Sequence, residues 1–163
     1  MSKNILVVED DAKQAREMTT LLRKCGYKAS YVLSSEEAIC VCGAEKFDCL
    51  VVDYCMPQID GVKFVRTLRQ SGAHTPVVIL TASDKVKVEA AVDDLEVWNV
   101  LEKPTGMKEL GESIEEACEW FEMPPEVVNE LEKQLEEETK HIGEMRRDLD
   151  DETKILPPFG RVL

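Results

Sequence analysis

The stretch Ile5-Leu6-Val7-Val8-Glu9-Asp10 sets four apolar residues in a row and then stops on two carboxylates. A strand with one face in water would alternate; an unbroken apolar run describes a strand covered by helices on both faces. The same pattern returns in Cys49-Leu50-Val51-Val52-Asp53 and in Val77-Val78-Ile79-Leu80-Thr81, and a shorter run, Val100-Leu101, ends on Glu102 and Lys103. In an open parallel sheet the carboxyl ends of the strands form the crevice where ligands bind. Side chains that close these runs therefore gather at one edge and point to a site.

Working outward, strand-like runs at 4–8, 28–33, 49–53, 76–81 and 98–102 alternate with helical periodicity at 12–25, 35–45, 61–71, 85–95 and 106–121. Five repeats of strand then helix predict a doubly wound parallel sheet of the α/β class. The punctuation agrees. Gly26 follows the first helical run, Ser34 and Ser35 precede Glu37 as a capping signal, Gly72 closes the third helix, Pro76 opens a strand and Pro104 begins the turn into the last helix. Residues 1–122 read as this one domain.

At Met123-Pro124-Pro125 the character changes to a rigid breaker, and 126–156 reads as one long charged helix of roughly 46 Å. Heptad positions a fall at 128, 135, 142, 149 and 156, and positions d at 131, 138, 145 and 152, two of which are Glu138 and Glu152. The seam supports either a homodimeric coiled coil through 126–156 or a helix folded back on the domain. Pro157-Pro158 ends it, leaving 157–163 as a tail.

The chain carries a formal charge of −13. Residues 1–122 hold 22 acids against 14 bases, and residues 123–163 hold 11 against 6. Nucleic acid and anionic membrane are excluded as partners, because both demand a basic surface. No run approaches the roughly 18 apolar residues that would span a bilayer, and Met1-Ser2-Lys3-Asn4 does not open a signal peptide, so the expected location is cytoplasmic. Six cysteines without paired C-x-x-C spacing read as small buried hydrophobes. His141 lacks an acid directly after it and reads as a solvated seam-edge residue.

The strand-end residues define a chemistry. Magnesium takes oxygen ligands and keeps several waters, so Glu9, Asp10 and Asp53 could supply its protein oxygens, and three crowded carboxylates call for a cation. With that charge neutralised, a carboxylate can attack an electrophilic phosphoryl group, Lys103 can meet the transferring oxygens, and the Thr81 hydroxyl can meet another. Small Ala82 leaves the approach open.

Val7-Val8-Glu9-Asp10-Asp11, Leu50-Val51-Val52-Asp53-Tyr54-Cys55-Met56-Pro57-Gln58-Ile59-Asp60-Gly61, Val77-Val78-Ile79-Leu80-Thr81-Ala82-Ser83 and Leu101-Glu102-Lys103-Pro104 together resemble the receiver domain of two-component response regulators. The likeness covers residues 3 to about 121 in order. It implies a flavodoxin-like sheet of strand order 2-1-3-4-5, magnesium, and phosphoryl transfer from the phosphohistidine of a sensor histidine kinase or phosphotransfer protein. By position, Asp53 resembles the phosphoacceptor, Glu9 and Asp10 the metal-binding pair, Thr81 the switch hydroxyl and Lys103 the phosphate-contacting lysine, while Cys55 would lend its backbone carbonyl to the metal. Such a domain is a phosphoacceptor that promotes its own phosphorylation and dephosphorylation rather than an enzyme acting on another substrate. A flavodoxin-type mononucleotide site is disfavoured because Glu9-Asp10-Asp11 repels phosphate. A haloacid-dehalogenase-type phosphatase would need an acid where Cys55 stands.

The sequence departs from the family at Val100, where most receivers place a Tyr or Phe that couples to the threonine. Trp98, two residues earlier and on the same face of a regular strand, is either a substitute ring or a core side chain. Asp93-Asp94-Leu95-Glu96-Val97-Trp98 also lacks the usual Gly-Ala turn, which predicts an irregular fourth helix and loop. An interaction scaffold that works without phosphorylation is the alternative function. The sequence does not specify the output partner.

Overall fold

The structure is a computed structural model that describes residues 2–56 and 60–153. Strands β1 (Asn4–Val8), β2 (Lys28–Val32), β3 (Cys49–Asp53), β4 (Val77–Thr81) and β5 (Asn99–Glu102) alternate with helices α1 (Ala12–Lys24), α2 (Ser35–Ala44), α3 (Gly61–Gln70), α4 (Lys85–Val92) and α5 (Met107–Glu122). All pairings are parallel and the sheet order is β2-β1-β3-β4-β5. This is the doubly wound order 2-1-3-4-5. The register sets Val8 beside Val52, Asp53 beside Leu80, and Thr81 beside Glu102. Hence the residues ending β1, β3, β4 and β5 reach the same edge.

Alternation along each strand divides the core into two layers. Leu6, Leu50, Val52, Ile79 and Val100 pack with Phe64 and Val88 beneath α2, α3 and α4. Ile5, Val51, Val78, Leu80 and Leu101 pack with Leu22, Leu110 and Ile114 beneath α1 and α5. Both faces are apolar because both are covered, which accounts for the unbroken runs in the sequence. Each fully buried Leu, Ile or Phe in these layers contributes roughly 1.5–3 kcal/mol of transfer free energy.

Helix starts are set by side-chain acceptors. Asp11 accepts from the N–H groups of Lys13 and Gln14 at 2.8 and 3.0 Å, Ser34 from Glu37 at 3.1 Å, and Asp60 from Lys63 at 2.8 Å. Each satisfies a donor the first turn cannot pair internally. Gly26 and Gly72 take φ of 95° and 82° just beyond α1 and α3, a left-handed turn that closes a helix and suits glycine.

Three expectations from the sequence change. α4 stops at Val92 rather than 95, because residues 93–96 turn back with Glu96 at φ 52°. Arg69 holds that turn: its Nε donates to the Leu95 carbonyl at 2.9 Å and Nη2 to that of Glu96 at 3.1 Å, while Nη1 bonds the Ala73 and Thr75 carbonyls at 2.9 and 3.0 Å. Trp98 does not share a face with Val100. It precedes β5, its N–H reaches the Val77 carbonyl at 2.8 Å, and its ring meets Trp120 at 6.0 Å between centroids, tilted by 41°, on the α1–α5 side. The cysteines are free, but only Cys49 and Cys118 are buried; Cys25, Cys40 and Cys55 are exposed because they cap α1, lie on the outer side of α2 and stand in the β3–α3 loop.

The chain divides into two compact units, the first ending at Glu122 and the second beginning at Met123. The second contains α6 (Pro125–Thr153), which starts with Val127 N–H donating to the Pro124 carbonyl at 2.9 Å. Its described apolar side chains include Val127 and Leu135, 45% and 57% exposed. Seam positions 128, 138, 142, 145, 149, 152 and 156, and the segment 157–163, lie outside the described side chains. Among the described residues no helix is long and apolar enough to cross a membrane.

Candidate functional site

The edge where the strands end carries a cluster of opposite charges. Glu9, directly after β1, and Asp53, the last residue of β3, are 3% and 6% exposed, whereas Asp10 faces solvent. One oxygen from each of the three lies within 4.8 Å of the others. Lys103, directly after β5, places Nζ 2.9 Å from Glu9 Oε2 and 3.0 Å from Asp53 Oδ1. It also donates to Gln14 Oε1 at 3.4 Å. Residues 94 apart in sequence meet because the parallel order brings the ends of β1, β3 and β5 to one crevice.

Burial is the main influence on Glu9. Loss of hydration pushes its carboxyl pKa up, assisted by the Asp53 charge, against the hydrogen bond from Lys103, which acts downward. For Lys103, desolvation acts downward, but the bonds to Glu9 and Asp53 outweigh it and hold the ammonium above its ordinary pKa. Lys103 therefore stays charged at neutral pH and offsets one of three negative charges.

Backbone contacts fix the remaining pieces. Lys103 N–H donates to the Thr81 carbonyl at 2.7 Å, so the lysine is carried on β4 as well as on its own strand. The Lys103–Pro104 peptide is cis. Thr81 is fully buried, and its Oγ1 accepts from Ser83 N–H at 2.9 Å. Across the opening, Cys55 Sγ lies 3.7 Å from Ser83 Oγ. Val100, at 3% exposure, packs into the α2–α4 layer. The structure thus brings Glu9, Asp10, Asp53 and Lys103 together, puts Thr81 at the end of the strand beside Asp53, and separates Trp98 from Val100.

Two contributors escaped the sequence reading. Gln14 sits on the first turn of α1 and becomes visible only once Lys103 is placed beside it. Gly61 begins α3 against the end of β3: a Cβ there would stand 2.7 Å from the Asp53 carbonyl oxygen and 3.1 Å from Tyr54 Cα. Its N–H donates to the Tyr54 carbonyl at 3.0 Å. The Asp60-Gly61 pair was the available signal, a cap followed by the smallest residue.

The donor set suits magnesium, which prefers hard carboxylate oxygens and needs only one or two of them beside water. A dication among these three oxygens would also favour the ionised form of Glu9, which burial opposes.

Comparison with known proteins places these features. The model of the "Response regulator receiver domain" family matches residues 5–115. Response regulator MprA of Mycobacterium bovis (strain BCG / Pasteur 1173P2) is 34% identical over 110 residues, which cover 68% of this chain and 48% of that protein. The chain spans about half the length of the curated relatives it matches. Among solved structures, the receiver domain of the Francisella response regulator 1452 superposes with a TM-score of 0.68 at 26% identity, covering 72% of this chain and 98% of its own. A chain described as a yeast Spc42 trimeric coiled coil, amino acids 181–211, fused to another structure gives a TM-score of 0.70 at 26% identity and covers 87% of this chain and 97% of its own.

Proposed function

Since the chain belongs to the response regulator receiver domain family, we propose that it accepts a phosphoryl group on Asp53 from the phosphohistidine of a sensor histidine kinase or phosphotransfer protein. The observation that carries this reading is the clustering of three carboxylates around Lys103, with Nζ within 3.0 Å of both Glu9 and Asp53. An Asp53 carboxylate oxygen attacks phosphorus, a P–O bond forms as the P–N bond breaks, and the electron pair returns to the imidazole, which takes up a proton. Glu9 and Asp10, with Asp53 and the Cys55 carbonyl, would hold magnesium, which when bound neutralises charge on the phosphoryl oxygens. Lys103 contacts one of those oxygens, exchanging part of its bond to Asp53 for a bond to the newcomer. Thr81 leaves the Ser83 N–H to donate its hydroxyl to another, and that movement begins the conformational relay.

Val100 favours a second reading, a phosphorylation-independent interaction scaffold, because an aliphatic side chain stands at position 100 where a ring would follow Thr81. Incubation of the full chain with magnesium and acetyl phosphate, followed by intact mass, separates the two. Gain of one phosphoryl group that vanishes in Asp53→Asn supports phosphoacceptance; no uptake from acetyl phosphate or from any kinase supports the scaffold.

For the second unit, the reading is self-association through 126–156. Its support is the heptad seam, the exposure of Val127 and Leu135, and a structural match whose 87% coverage exceeds the share of the chain that residues 1–122 make up. Glu138 and Glu152 at seam positions weaken a long coiled coil rather than abolish it.

A further inference from the structure

Helices α1 and α5 lie over the same face of the sheet, and a groove of about 470 Å³ opens between them beside the loop that follows β5. Its size falls within the roughly 300–1,000 Å³ of ordinary small-molecule sites. Leu80 and Leu110, both almost fully buried, lie deepest, and Met18, Leu21 and Met107 form the apolar walls. Leu21 is 41% exposed, so the apolar surface runs out to the rim. Thioethers pack well against aromatic rings and adjust to the shape of what they touch. Two methionines in these walls therefore favour a flat aromatic body over a branched aliphatic one.

The polar side chains of the groove are unequally committed. An ammonium has three N–H donors, and Lys103 directs its own at Glu9 at 2.9 Å, Asp53 at 3.0 Å and Gln14 at 3.4 Å. None is left for an anion in the groove. Glu17, one turn along α1 from Gln14, lines the same space with its side chain 63% exposed. Among the described residues its ion pair is with Lys13 at 4.0 Å, too long for a hydrogen bond. A loosely held carboxylate at the rim of an apolar groove calls for a cation. The surrounding charge has the same sign, because Glu9, Asp10 and Asp53 lie beyond Lys103, so repulsion selects against anions.

We infer that the groove between α1 and α5 binds a small aromatic amine, with its ring among Met18, Leu21 and Met107 and its ammonium on Glu17. Buried apolar area supplies the affinity and the charge supplies the selection. Because the space is already open, little has to be reordered when the ligand enters. Binding needs neither Asp53 nor a phosphoryl group, so its failure and the failure of phosphoacceptance are separate results.

The test titrates the isotopically labelled full chain with naphthylmethylamine, a cation at neutral pH, and with its uncharged analogue naphthylmethanol and the anion naphthoate, read by amide NMR. The amine should saturate, moving backbone amide resonances within 14–21 and 103–110 most. The alcohol should bind about three- to tenfold more weakly, and naphthoate more weakly still. Glu17→Gln should weaken the amine about three- to tenfold, most at low salt, and leave the alcohol unaltered. Leu21→Ser, at a partly exposed position, should weaken amine and alcohol alike by about threefold. Glu36→Gln on α2 makes the same change in charge away from the groove and should alter nothing. Failure of the amine to bind, shifts centred on Glu9, Asp10 and Asp53 instead of the groove, equal affinity for naphthoate and the amine, or equal losses in Glu17→Gln and Glu36→Gln would each overturn the inference.

Discussion

Replacing Gly61 by alanine and Gly111 by alanine should shift stability in opposite directions, although the chemical change is identical. At Gly111, within α5, the nearest atom to a new Cβ is the Tyr27 hydroxyl at 4.0 Å, so the methyl is accommodated. The helix then gains about 0.5–1 kcal/mol from the reduced freedom of the unfolded chain. At Gly61 the methyl would stand 2.7 Å from the Asp53 carbonyl oxygen, a distance that must open by more than half an ångström to approach about 3.5 Å, ordinary van der Waals contact. Overpacking of this kind costs about 1–3 kcal/mol, only partly offset by helix propensity at a first-turn position. The net is a loss of about 1–2 kcal/mol, or roughly 3–8 °C in melting temperature for a domain of this size. Because the atoms that must move are the backbone of Asp53 and Tyr54, phosphoryl uptake from acetyl phosphate should slow as well. Thermal melts by circular dichroism and a time course of intact mass on both variants decide the matter. A rise in melting temperature for Gly61→Ala matching that of Gly111→Ala would refute the close approach of α3 to the end of β3.

Further outcomes follow from the site and its supports. Magnesium binding needs Glu9 ionised, and its raised pKa means that protons compete at a higher pH than for an ordinary glutamate; magnesium-dependent stabilisation should shrink as pH falls through that raised value. Without magnesium the sign reverses, since the folded state binds the Glu9 proton more tightly than the unfolded chain, so the Glu9 contribution to stability should fall as pH rises from the unfolded to the folded pKa. Melts at a series of pH values with and without magnesium, compared with Glu9→Gln, check both signs. Arg69→Ala strips donors from four carbonyls at once and should cost about 2 kcal/mol, read by urea denaturation. Light scattering on the full chain should return a mass above one chain and a single-chain mass for Leu131→Glu with Leu135→Glu; a monomer before substitution would discard association through α6.

Much of the fold was legible because the physics was local. Unbroken apolar runs name strands covered on both faces, and Ser34, Gly26 and Gly72 mark helix ends through bonds and angles within a few residues. The crevice was legible for a related reason: in a parallel sheet the residue after each strand shares an edge with the others, so Glu9, Asp53 and Lys103 could be placed together before any distance was known. The parts that were not legible depend on contacts across the chain. Arg69 shortens α4 by binding carbonyls 26 and 27 residues away, and no periodicity in residues 85–95 records that. Trp98 changed layers because β5 begins one residue after it, and a face assignment by twos fails where the strand does. Gly61 reads in the sequence as a turn residue and reveals its closeness to Asp53 only in three dimensions.

The contact between Trp98 and Trp120 also bears on how the protein can be observed. These are the chain's only two tryptophans, so its entire indole emission comes from a single joint, where the entrance to β5 meets the last turn of α5. Between them runs the loop that carries Lys103, clasped at both ends. Both rings are half-buried where they meet, and indole emission follows the polarity around each ring, so parting them would expose both to water and shift the signal. An ordinary fluorescence spectrum is thus a gauge of whether α5 keeps its seat against β5.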